Sequence, residues 1–78
     1  MILIVTIALT GVSLYNMSRS YEHAGDFLRA MECAREARRI WQAALPPGHE
    51  DVVDAEERVR DLEGAIQELA VAAQGPRL

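Results

Sequence analysis

Lysine is absent, cysteine occurs once, and only four residues are aromatic: Tyr15, Tyr21, Phe27 and Trp41. Each scarcity narrows the possibilities. A lone Cys33 allows no intrachain disulfide, which fits a reducing, cytoplasmic setting; between Glu32 and Ala34 on a helix, it reads as a packed or idle thiol rather than a nucleophile. With so few aromatic rings, a core must be assembled from Ala, Leu, Ile, Val and Met. Proline is confined to positions 46, 47 and 76, and the five glycines never cluster. That leaves long stretches free for helix. Positive charge is also scarce: the eight basic residues are all arginine, and the formal net charge is −4. An acidic chain is a poor binder of polyanions, so nucleic acid is not an expected partner.

Catalytic signatures are missing as well. There is no HExxH, CxxC, P-loop or GxSxG pattern, so the common metal, phosphate and acyl-transfer chemistries have no footing. The chain is not expected to be an enzyme, and no cofactor or metal is implied. At 78 residues it makes one domain and hides only about 60% of its unfolded surface, which leaves little room for an enclosed active site. His23 reads as a surface histidine near a turn, and His49 as a residue that orders its loop or caps the following helix. The run "REARR" over Arg35–Arg39 and the acidic Glu56, Glu57, Asp61 and Glu63 read as solvated faces.

The first eighteen residues carry no charged side chain, the lower edge of a membrane span. Against that reading, the strongly apolar part is only Met1–Leu9. Thr6, Thr10, Ser13 and Asn16 dilute the run, Gly11 interrupts it, and no basic residue precedes it. A packed helix is therefore expected, and membrane involvement is not. The competing reading is a small membrane-tethered adaptor with residues 1–15 in lipid.

Apolar residues recur with helical period along the whole chain. Leu3, Ile7, Thr10, Leu14, Met17 and Tyr21 draw a stripe that predicts a helix over 2–24. Gly25 accepts the left-handed conformation that ends helices, and Asp26 is a natural N-cap. Phe27, Ala30, Met31, Ala34, Ala37, Ile40, Trp41 and Ala44 predict a second helix over 27–44, with Glu32–Arg35 and Glu36–Arg39 as supporting i,i+3 pairs. "LPPGHED" is a loop. Val52, Ala55, Val59, Leu62, Ile66, Leu69 and Ala73 form a heptad-like seam on a third helix over 51–73, with Arg58 among the charges on its other faces. Residues 74–78 form a frayed tail. The expected fold is all-α: an antiparallel hairpin followed by a long third helix, in one domain over 1–73. In the hairpin, Leu14, Met17 and Tyr21 supply bulk, while Ser18, Ala30, Ala34 and Ala37 make room for it.

The set Leu14–x2–Met17–Ser18–x2–Tyr21, then Gly25-Asp26-Phe27, then Ala30, Ala34 and Ala37, resembles a tetratricopeptide repeat. The second helix runs on through Ile40 and Trp41 to "LPPGHEDV", which is similar to the longer repeats of kinesin light chains and their Gly-Pro-x-His-Pro-Asp-Val linker. Pro47, His49, Asp51 and Val52 match that linker; Pro46 and Glu50 depart, as does Ala34, where the family often has an aromatic. Shifted by one long repeat of about 42 residues, only Val59 keeps the large apolar pattern, so the third helix looks like a cap with a polar outer face. The resemblance covers about Leu9–Val52.

The resemblance implies a protein–protein interaction or scaffold module. Its groove-facing positions would be Val12, Tyr15, Asn16, Arg19 and His23, with Asn16 holding a peptide main chain and Arg19 a carboxylate. One repeat plus a cap falls short of the roughly three needed for a self-sufficient stack. A homo-oligomer is expected, formed through Leu3, Ile7, Val59, Leu62, Ile66 and Leu69; the alternative is a piece of a longer array whose other repeats supply the cover. Trp41 reads as core or as an interface anchor.

Overall fold

The computed structural model describes residues 2–75, with side-chain surroundings from Val5 onward. The chain is all-α. Helix α1 spans Ile2–His23, α2 spans Phe27–Ala44 and α3 spans Glu50–Ala73, and no strand occurs among the described residues. Of the expected tail, Gln74 and Gly75 follow α3 as its last turn, and residues 76–78 lie outside the described residues.

The turns form as local chemistry dictates. After α1, Gly25 takes φ +82°. Its N–H donates to the Glu22 carbonyl at 3.0 Å, and the Asp26 N–H donates to Tyr21 at 2.8 Å. This pair of crossed bonds satisfies the last carbonyls of the helix and turns the chain back. The Asp26 carboxylate then accepts from the Arg29 N–H at 3.2 Å, capping α2. Past α2, Pro47 and Gly48 occupy the middle of a turn closed by His49 N–H donating to Pro46 at 3.1 Å. Gly48 supplies the positive φ that this turn requires. His49 caps α3: its Nδ1 accepts from the Asp51 N–H at 3.1 Å.

Helix α2 is central, packed by α1 on one side and α3 on the other. Ala30, Met31, Ala34, Val59 and Leu62 form one buried cluster, with Tyr21, Phe27 and Ile66 packed against it. Trp41, Val52 and Ala55 form a second, flanked by Tyr15, Ile40 and Leu45. Tyr21 thus faces inward, where the hairpin needs it. Met17 does not: it is 45% exposed, and the line of α1 against α2 runs instead through buried Gly11 and Ser18. Of the two expected i,i+3 pairs, Glu36–Arg39 forms and holds the Glu36 carboxyl below its ordinary range through the hydrogen bond from Arg39. Arg35 turns instead toward Glu63 on α3, at 3.8 Å.

Candidate interaction surface

The outer face of α1 is positioned by what lies under it. Trp41 is buried, and its indole N–H donates to the Ala8 carbonyl at 3.3 Å. Its Nε1 edge packs against Gly11: a Cβ there would overlap the indole at Nε1, Cε2 and Cδ1. Glycine at this position is what allows a tryptophan between two helices. One turn pair further along, the Ser18 hydroxyl, fully buried, donates to the Ala30 carbonyl at 2.7 Å and accepts from Arg58 Nε at 3.0 Å.

Arg58 also departs from its expected place. Expected among the solvated charges of α3, it turns inward, with its side chain only 14% exposed. Besides Ser18, its guanidinium donates to Glu22 at 2.5 Å and lies 5.6 Å from the centre of the Tyr15 ring, a cation–π distance. Four groups from α1 and α3 are thereby tied into one polar knot, and no described buried side-chain polar atom is left unpaired. Two signals pointed to it: Arg58 flanks the seam residues Ala55, Val59 and Leu62, and a buried serine hydroxyl needs partners.

The positions expected to face a groove divide accordingly. Tyr15 is half-buried, tilted against Trp41 with ring centres 5.8 Å apart; its face is committed to Trp41 and Arg58. Val12, Asn16, Arg19 and His23 are exposed and, at spacings of four, three and four, share one stripe along α1.

The positions expected to associate with a second copy are placed less uniformly. Val59 and Leu62 belong to the interior, at 2% and 1% exposure, because α2 of the same chain already covers that part of the seam. Ile66 and Ile7 are half-buried and Leu69 is half-exposed. The Leu3 side chain lies outside the described residues. Ile7 lines an open depression of about 400 Å³ with Arg39, Ile40, Ala43 and Ala44. A second depression, about 380 Å³, lies where α2 begins and α3 continues, lined by Gly25, Asp26, Phe27, Leu28, Ile66, Leu69 and Ala70.

Cys33 is half-buried, and burial, with the neighbouring Glu32 carboxylate adding to it, pushes its thiol above the ordinary value, away from the nucleophilic thiolate form. Among the described residues, no helix is long and apolar enough to cross a membrane. No protein-family model, no curated protein and no solved structure matches the chain.

Proposed function

We propose that this chain is a non-enzymatic protein–protein interaction or scaffold module of the tetratricopeptide type, cytoplasmic and working as an oligomer through helical packing. The observation that carries the reading is the stripe of Val12, Asn16, Arg19 and His23. It lies on a helix braced from beneath by Trp41 and Arg58, and among the described residues no hydrogen bond or ion pair engages the side chains of Asn16, Arg19 or His23. Polar groups on a rigid element, free of structural duty, suit recognition of a partner.

The stripe's length sets the size of the ligand. Val12 and His23 stand eleven residue steps apart on the helix, about 17 Å, which matches about five residues of extended peptide. Asn16 can donate to and accept from a peptide main chain; Arg19 favours a carboxylate on the same segment.

Titrating the labelled chain with short extended peptides that carry carboxylates tests this by amide chemical shifts. The expected perturbations cluster at 12, 16, 19 and 23. Asn16→Ala, at an exposed site, weakens binding about ten-fold without altering the melting temperature, the effect of one lost hydrogen bond. Perturbations confined to other faces, or no binding at all, would remove the peptide groove from the reading.

A further inference from the structure

Of the chain's Asp, Glu and Arg residues, α1 holds two, Arg19 and Glu22, three positions apart. Residues at that spacing are neighbours on a helix, where opposite charges pair. Two such pairs form elsewhere in the chain, Asp26 with Arg29 and Glu36 with Arg39. Arg19 and Glu22 stay apart. The Glu22 carboxylate accepts instead from Arg58 of α3, at 2.5 Å. No hydrogen bond or ion pair among the described residues engages the Arg19 side chain. The only acid on its own helix is thus engaged from outside.

The competition for Glu22 is unequal for a physical reason. Arg58 is a fixed cation: its side chain is only 14% exposed, its Nε donates to the Ser18 hydroxyl at 3.0 Å, and its guanidinium lies 5.6 Å from the centre of the Tyr15 ring. Ser18 is in turn anchored on the Ala30 carbonyl. A guanidinium already held in place loses little further freedom when it takes a carboxylate, and a partly buried pair is screened less than one in open water. Arg19, exposed on the stripe, would have to give up its rotamer freedom for the same bond.

We propose that Arg58 is a positioning residue for the stripe: by holding Glu22, it keeps the Arg19 guanidinium free to take a partner's carboxylate. Without Arg58, Glu22 is an unneutralised charge that both competes for Arg19 and repels an acidic ligand. The proposal rests on the peptide-binding reading above. It adds to that reading a residue that acts without touching the ligand, and a preference for acidic over neutral segments.

The test uses two acetylated, amidated pentapeptides, alanine throughout except for a central glutamate in one and a central glutamine in the other. Each is titrated against the full chain at low ionic strength and followed by amide chemical shifts. The native chain is expected to bind the glutamate peptide about five-fold more tightly. Arg58→Met lowers that preference to less than about two-fold, since Glu22 then pairs with Arg19. Adding Glu22→Gln to Arg58→Met brings the preference back, because no carboxylate is left to occupy Arg19. Arg58→Lys keeps the charge and most of the preference, and Glu22→Gln alone keeps it in full. A merely structural Arg58 predicts otherwise: both peptides lose affinity alike, and the second substitution repairs nothing. That result, or a preference that survives Arg58→Met, overturns the role of Arg58 and leaves the groove standing. So does equal binding of the two peptides by the native chain, or loss of the preference in Glu22→Gln, a variant that tests the proposal even if Arg58→Met does not fold. If neither peptide binds the native chain, the groove reading itself falls, and this role with it.

Discussion

Between α1 and α2, the decisive positions are those with almost no side chain: Gly11 beneath the Trp41 indole, Ser18 beneath the Ala30 carbonyl, and Ala30, Ala34 and Ala37 along the facing helix. Between α2 and α3, by contrast, the bulk of Met31, Val52, Val59 and Leu62 is added around Ala30, Ala34 and Ala55. Both interfaces bury apolar surface, yet they fail in opposite ways. The first has no room to accept atoms, and the second has none to lose. A chain with so few aromatics uses both devices because close backbone approach compensates for small side chains in one seam, while ordinary interdigitation serves the other.

Truncating the bulky seam gives the largest effect. Leu62→Ala removes a side chain that is 1% exposed and leaves a cavity at the centre of α2–α3; the expected loss is about 3 kcal/mol. In so small a domain, whose total stability is of order 5 kcal/mol, this shows as a clear drop in the urea midpoint. A midpoint shifted by less than a third of that would mean that α3 packs more loosely than described.

Enlarging the close seam comes next. Gly11→Val drives a branched side chain into the Trp41 indole, and overpacking of this kind costs about 2 kcal/mol, against the gain of up to about 1 kcal/mol that replacing a helical glycine brings elsewhere. Thermal melts of Gly11→Val, alone and combined with Trp41→Leu, sharpen the comparison: if the clash is the cause, the double variant falls less than the sum of the two singles. Strict additivity would separate Gly11 from Trp41.

The smallest effect belongs to the polar knot that joins the two outer helices. Arg58→Met keeps the length of the side chain but removes its bonds to Ser18 and Glu22. The Ser18 hydroxyl retains its bond to Ala30, so the expected loss is only about 1 kcal/mol. It should appear as faster amide exchange in the middle of α3 before any change in global unfolding. Exchange that accelerates equally in all three helices would mean that Arg58 supports the whole fold.

The exposed polar side chains of the α1 stripe, Asn16, Arg19 and His23, were expected from the family resemblance; towards the start of the helix the same face continues with exposed Val12, Leu9 and Val5. The commitment of Tyr15 was not expected, since its partners come from positions 41 and 58, far along the chain. Nor was the division of the third helix's seam into a covered part, with Val59 and Leu62, and an open part, with Leu69. Periodicity marks a seam, but where α2 stops beside it is set by the length of the intervening loop and the register of packing.

Local chemistry alone settled the number of helices, their limits to within a residue and both caps. Periodic apolar positions, a glycine with positive φ, Asp26, the proline pair and His49 each act within a few residues of where they stand. Which side of α1 turns inward was left to the tertiary structure. Leu14, Met17 and Tyr21 offered one line and Gly11 with Ser18 another, separated by a fraction of a turn. The choice fell to the line that lets Trp41 and the alanines of α2 approach the α1 backbone, leaving Met17 outside and bringing Arg58 in. Such complementarity exists only between two surfaces, so no single stretch of chain contains it.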